Sequence, residues 1–394
     1  MRNPYLAAIP IAMGTISAML AIDLYLPAIP GLPAVLGGTS VQAQYSLGAF
    51  MAAFAVGQLV FGVLGDRYDR RRVLASALAA LAVSSLLCAT ASSMGELIAF
   101  RAVQGLTAAA GAALAPALLR EMADGVAVIR LMGFVSSLQA LVPAVAPALG
   151  TWLLRHASWR WSFVAVTVMA SIASSALVLL APARKTAPAS RTGNMLAGYT
   201  ALLTTRTFMG YVISHGLAFG ALLTFIMAAP YVVTTHAHGT LENFAVMQVV
   251  LVSCFVIGAN VAAPIVRRIG SDAAIVTGAA LQAAGGVALL TVTLALHDVT
   301  VIALTLAMML VNIGHGLRGG VGLAKVMDVR PEFSGSASAL MVFLSASIGS
   351  IGTPALAPFL PSGAWALGIA VAVQAVASLL VLPLALASRR QLAA

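Results

Sequence analysis

Apolar positions in this chain come in long unbroken runs, with neither the three-four rhythm of a surface helix nor the alternation of a half-buried strand. Twelve such runs fall at 5–27, 41–64, 73–93, 96–119, 131–153, 160–181, 207–231, 243–266, 273–295, 299–323, 335–358 and 363–387. Each supplies the roughly 20 mostly apolar residues that a helix needs to cross a hydrocarbon core of about 30 Å. Alternating segments of about ten residues, the mark of a membrane barrel, are absent. Lipid satisfies no backbone hydrogen bonds, so the runs are predicted to be helices that satisfy their own. The fold class is therefore an all-α polytopic membrane protein with twelve transmembrane helices.

The polar intervals carry the organisation. The longest, "APARKTAPASRTGN" at 181–194, is rich in Pro, Ser and basic residues and divides the runs six and six. It reads as a linker at 182–206 between an N-terminal bundle, 1–181, and a C-terminal bundle, 207–394. "FGVLGDRYDRRRVL" after the second run is matched in position by "APIVRRIGSDAAIV" after the eighth. That echo suggests duplicated halves, and Gly-rich, Pro-broken helices in such halves suit rocking of one bundle against the other around a central cavity. The stretch "LREMADGVAVIR" at 119–130 is predicted to be a short interfacial helix.

Composition agrees: 61% of the 394 residues are hydrophobic and 8% charged, and the mean hydropathy of +1.02 lies far outside the range of a soluble domain. The net charge of +10 invites a nucleic-acid reading, but the distribution of Lys and Arg removes it. With the N-terminus inside, cytoplasmic segments hold Arg2, Arg67, Arg70, Arg71, Arg72, Arg120, Arg130, Arg184, Lys185, Arg191, Arg206, Arg267, Arg268, Lys325, Arg330, Arg389 and Arg390, which is 17 of the 21. Opposite loops keep Arg155 and Arg160. This is positive-inside topology with both termini cytoplasmic. The first run is too long for the apolar part of a signal peptide and reads as a retained helix. Cys88 and Cys254 sit within apolar spans and read as packing residues.

Charges inside the spans point to chemistry. Asp23 lies seven residues outward from the midpoint of the first span near Ile16, about 10 Å at 1.5 Å per residue. Arg101, on the oppositely running fourth span with its midpoint near Ala108, also lies about 10 Å outward. A charge at such depth faces the protein interior and finds a partner, so Asp23 and Arg101 are expected to pair. The carboxylate is expected to carry a proton whose loading changes with its surroundings. The alternatives are a structural ion pair or a hydrated interfacial Asp. On the tenth span Asn312, His315 and Arg318 step by three along one face, which makes His315 the second-choice proton carrier; His215 on the seventh is weaker. A cavity for a small organic molecule wants aromatic walls and a few polar anchors. Its expected lining is Asp23, Tyr25, Tyr45, Phe50, Phe54, Arg101, Gln139, Phe219, Phe225, Tyr231, Gln248 and Asn312, with Trp159 and Trp161 as interface anchors. Pro143 and Pro147, with Gly133 and Gly150, should bend the fifth helix and allow close packing.

Three patterns resemble the Major Facilitator Superfamily: Gly62-x-Leu64-x-Asp66-Arg67-x-x-Arg70-Arg71, Arg101-x-x-Gln104-Gly105, and "LVPAVAPALG" at 141–150, which is similar to the antiporter signature. "DLYLPAIP" at 23–30, "SWRWSF" at 158–163 and "GSASAL" at 335–340 resemble the Bcr/CflA-type drug:proton antiporters, and "SSLQALVPAVAPALG" their chloramphenicol and florfenicol exporters. The resemblance implies two six-helix bundles and proton-driven efflux of small hydrophobic drugs from the bacterial inner membrane. It implies no cofactor, and as partners a small-molecule drug, protons and the lipid bilayer, with a monomer expected. It also implies a cytoplasmic gating latch from Gly62, Asp66, Arg67, Arg70 and Arg71, and assigns Gly133, Pro143, Pro147 and Gly150 to the antiporter signature; Arg120, at the inner end of the fourth span, is expected by its position to pair with Asp66. Two positions depart from the pattern. Asp69 replaces a Gly, where Asp would tolerate a left-handed turn, and Ala146-Pro147 replaces Gly-Pro.

An ATP-driven pump is excluded, because "GLRGGVGLAK" at 316–325 lacks Gly-Lys-Ser/Thr. His236-Ala-His238 offers too few ligands for a metal site, and no hydrolase motif appears. A proton symporter or facilitator for a metabolite and a non-transporting receptor remain as alternatives to the antiporter.

Overall fold

A computed structural model describes residues 4–122, 126–180, 195–296, 299–330 and 333–392. Twelve helices among these residues are long and apolar enough to cross a membrane. They are α1 (Pro4–Asp23), α2 (Ser40–Arg67), α3 (Arg70–Thr90), α4 (Met94–Met122), α5 (Val126–His156), α6 (Arg160–Leu180), α7 (Arg206–Thr235), α8 (Leu241–Ile269), α9 (Ser271–Ala295), α10 (Val301–Val329), α11 (Ser334–Leu356) and α12 (Trp365–Leu392). The chain divides into two compact units, Met1–Ser190 and Arg191–Ala394.

In the first unit α2 packs on α4, α3 on α6 and α4, and α1 on α4, α5 and α6. The second repeats the scheme: α8 on α10, α9 on α12 and α10, and α7 on α10, α11 and α12. Without water to drive helices together inside lipid, association depends on close backbone approach over small residues. Two glycines supply it at matching places. A Cβ on Gly105 of α4 would collide with the Phe50 carbonyl of α2, and one on Gly316 of α10 with the Phe255 carbonyl of α8. Large apolar side chains such as Leu179, Ile302 and Leu380 lie 77%, 72% and 70% exposed, as lipid-facing residues would be.

Turn chemistry sets the helix starts. α2 and α8 open on capping boxes, Thr39 with Gln42 and Thr240 with Asn243. Asp69 caps α3, its carboxylate accepting from the Arg71 and Arg72 amides at 2.9 and 3.0 Å. Its φ is −57°, so Asp stands here as an N-cap and not, as the sequence suggests, to tolerate a left-handed turn.

Several boundaries differ from expectation. α1 stops at Asp23 rather than near residue 27, and the chain continues as a 3-10 turn, Leu26–Gly31, and a short helix, Leu32–Leu36. Pro27 and Pro30 cannot donate to an α-helical ladder, and each disfavours the α conformation of the residue before it. The stretch 119–130 is the end of α4 and the start of α5, with 123–125 outside the described residues, rather than a separate interfacial helix. Residues 182–194 of the expected linker also lie outside the described residues. Its later part is a helix, Met195–Leu203, whose Leu202 is buried in the core of the second unit.

Candidate functional site

The last turn of α1 leaves carbonyls without intrahelical partners, at the negative end of the helix dipole. Arg101 of α4 answers this need. Its Nη1 donates to the Ala21 carbonyl at 2.7 Å and to Gln104 Oε1 at 2.6 Å. Gln104 Nε2 then donates to Ser85 Oγ of α3 at 2.8 Å. The guanidinium is fully buried, with its central carbon 4.3 Å from the Phe50 ring centre, 4.7 Å from Tyr25 and 5.8 Å from Phe163. Three ring faces thus supply negative potential where no carboxylate does. Among the described residues its Nε and Nη2 have no hydrogen-bond partner.

Asp23 is 9% exposed. Among the described residues it makes neither an ion pair with Arg101 nor any side-chain hydrogen bond, so the expected pairing is corrected: Arg101 caps the helix that ends at Asp23 and does not bind its carboxylate. Equal depth was a sound inference, but it leaves azimuth free. Residues two apart leave a helix about 200° from one another, so an arginine reaching the backbone at Ala21 has no claim on Asp23. The break after Asp23 is locked from two further helices. Ser162 Oγ of α6 donates to the Leu24 carbonyl at 3.1 Å, and Gly150 of α5 presses so close to that carbonyl that any Cβ would overlap it.

The other lining positions separate by environment. Tyr25 is buried, its hydroxyl 2.7 Å from Ser46 Oγ and its ring 5.2 Å from Phe163. Phe50 lies under Arg101 and stacks on half-buried Phe54 at 6.1 Å. Tyr45 is 39% exposed. Phe225 is fully buried in helix packing and Gln248 is 2% exposed, whereas Gln139 is half-buried. Tyr231 meets His236 edge-on at 5.8 Å. Trp161 is 52% exposed, as an interface anchor should be, but Trp159 is buried against Phe163 at 6.0 Å with Arg160 over its ring. Neighbouring residues at a helix start point to different faces, and only one of the two indoles faces outward. In α5 the helix runs on through Pro143 and Pro147. Gly133 is exposed with open space where its Cβ would be, as has Gly62 in α2, so the close packing expected at the antiporter signature falls to Gly150.

The second unit has its own buried arginine. Arg318, 2% exposed on α10, donates through Nη1 to Gln282 Oε1 of α9 and to Ser378 Oγ of α12, each at 3.2 Å, and through Nη2 to Ser214 Oγ of α7 at 2.5 Å. His315, one turn earlier, has Nδ1 3.4 Å from Gln282 Nε2. Its ring lies 5.5 Å from His215 and 5.9 Å from Phe219 and Phe255. Asn312 turns its amide back to the Met308 carbonyl at 2.9 Å. Sequence reasoning placed Asn312, His315 and Arg318 on one face but missed Gln282, Ser214 and Ser378, because a lone polar residue in an apolar run carries no sign of its partner.

Beyond the apolar runs, Arg70 at the start of α3 pairs with Glu121 at the end of α4. Arg71 caps α6, donating to the carbonyls of Leu177 at 2.6 Å and Val178 at 2.7 Å. The second unit carries the same bridge with its signs exchanged. Asp272 at the start of α9 binds Lys325 near the end of α10 at 2.8 Å and accepts from the Tyr211 hydroxyl at 3.1 Å. The Asp66 side chain, expected to meet Arg120, lies outside the described residues, and Arg67 and Arg120 are exposed. Glu121 and Asp272 were not anticipated, although an acid in a last turn and another in a first turn were the available signals. Among the described residues no group of three or more His, Cys, Asp or Glu is placed to hold a metal ion, and His236 Nε2 is taken up by the Leu360 carbonyl at 2.8 Å.

Two units with one internal packing scheme and, among the described residues, twelve helices long and apolar enough to span a bilayer define a polytopic helical membrane protein. The Major Facilitator Superfamily profile matches residues 11–354, and the chain belongs to that superfamily. It is similar to an uncharacterized MFS-type transporter YdgK of Bacillus subtilis, 28% identical over 359 residues with 87% of this chain and 86% of the relative covered. It is also similar to a chloramphenicol resistance protein of Pseudomonas aeruginosa, 26% identical over 350 residues with 88% and 83% covered. The nucleoside transporter NupG shares the fold at a TM-score of 0.72 and 12% identity, over 96% of this chain and 100% of the other. The relative named for chloramphenicol resistance is consistent with the Bcr/CflA-type drug-exporter branch that the motifs resemble.

Proposed function

We propose that this chain is a proton-coupled antiporter that exports small hydrophobic drugs, phenicols among them, from the bacterial inner membrane by alternating access, with both termini cytoplasmic. The observation that carries the reading is Asp23, a buried carboxylate at the broken end of α1 with no ion pair among the described residues. An acid inside a membrane span is costly and marks a proton or substrate pathway. Without a guanidinium bound to it, it can gain and lose a proton as access alternates. Arg101 then serves as the fixed frame of that site, and the relative named for chloramphenicol resistance supports the substrate class. One inward proton contributes about 2.3 kcal/mol per 100 mV and about 1.4 kcal/mol per pH unit, enough to concentrate a neutral drug outside.

Expression of the wild type in a pump-deficient bacterium should raise phenicol resistance. Asp23→Asn should return it to the vector level at unchanged membrane abundance. Full resistance in that variant would refute the proton role. In proteoliposomes, drug should release protons from the protein; external alkalinisation during drug uptake would mark a symporter instead.

A further inference from the structure

The hydrogen-bond ledger around Arg318 does not close. A guanidinium has five N–H donors, and Ser214, Ser378 and Gln282 take three of them. Gln282 spends its carbonyl oxygen on Arg318, so the amide it turns toward His315 is a donor, and His315 Nδ1 accepts at 3.4 Å. In the tautomer this arrangement favours, the His315 proton sits on Nε2, as another donor. His215 Nδ1 is buried and has no hydrogen-bond partner among the described residues. The acids of this unit, Glu242, Asp272, Asp298, Asp328 and Glu332, lie outside the apolar runs or at their ends, and among the described residues none pairs with Arg318. The cluster thus holds a permanent charge and spare N–H groups against neutral acceptors only. Arg101 also keeps N–H groups without a partner among the described residues, but aromatic faces compensate its charge.

We infer that Arg318, His315 and His215 form a carboxylate-binding subsite in the C-terminal bundle. Two unspent guanidinium N–H groups match the two oxygens of a carboxylate, the geometry in which arginine excels. The imidazoles add contacts from the side, and Phe219 and Phe255 flank His315 with the apolar walls an aryl acid would need. His215 and Phe219, one turn apart on α7, keep part of their surface exposed, which leaves the cluster reachable. The inference does not rest on Asp23, and the drug-export reading would survive its failure.

The test is thermal unfolding of the purified full-length protein in detergent with benzoate as probe and neutral benzamide as control. Benzoate should raise the Tm saturably, by about 3 °C at high occupancy, and benzamide should not. Arg318→Gln should abolish the shift. His215→Asn, which leaves the three hydrogen bonds of Arg318 in place, should weaken benzoate at least tenfold and decides the matter should the arginine variant fail to fold. Equal shifts from benzoate and benzamide, or a benzoate shift unchanged in His215→Asn, would overturn the assignment.

Discussion

Arg101 and Arg318 each sit on the fourth helix of a bundle, buried to 0% and 2% exposure. Each contacts the first and third helices of its own bundle, directly or through a glutamine: α1 and α3 for Arg101, α7 and α9 for Arg318. Among the described residues neither touches a carboxylate. They accommodate the charge by different physics. Arg101 caps a helix that proline has broken and lies over Phe50 and Tyr25, so a dipole end and aromatic quadrupoles compensate it. Arg318 finds an unbroken α7 with no free carbonyl at that level, and must use two hydroxyls and an amide. The duplicated packing therefore sets where an arginine can be buried, and the local interruption of a helix sets what it binds.

Exchanging each arginine for glutamine tests that difference most severely. Arg101→Gln removes a charged cap and the ring contacts and should destabilise the protein by about 3 kcal/mol in chemical unfolding. Arg318→Gln loses donors to neutral acceptors but also a costly buried charge, and should cost about 1 kcal/mol. Equal losses would erase the distinction. The glycine crossings come next. Gly105→Ala and Gly316→Ala should each cost about 1–3 kcal/mol, because a methyl group must displace the Phe50 or Phe255 backbone. A large difference between them would show that the two crossings are packed less alike than they look. The smallest effect belongs to the sign-exchanged bridges. Arg70→Glu with Glu121→Arg should recover about 0.5 kcal/mol over the sum of the single variants in a double-mutant cycle, since both side chains are partly exposed. Asp272→Lys with Lys325→Asp should behave alike.

Some of this was legible in the linear chain. Lipid leaves no option but helices of a certain length, so apolar runs reported the spans, and the Asp66–Arg72 segment matched its echo near Arg267. The end of α1 was readable from Pro27 and Pro30 and was still placed four residues late, because apolarity continued past the backbone's ability to stay helical. Asp69 looked like a tolerated intruder and is an N-cap, a role that depends on where α3 begins. The depth of Asp23 and Arg101 followed from residue counting. Their failure to pair did not, since counting along two axes leaves the rotation of each helix undetermined.

By itself the sequence determined which segments enter the membrane, how many there are, and which charges are carried into it, because transfer to hydrocarbon penalises polar groups whatever surrounds them. Tertiary structure alone decided what each buried charge meets. It gave the Ala21 carbonyl and three rings to Arg101, three neutral acceptors to Arg318 and, among the described residues, no ion pair to Asp23. Those outcomes turn on helix rotation and on backbone approach over single glycines, to which a one-dimensional pattern of hydrophobicity is blind.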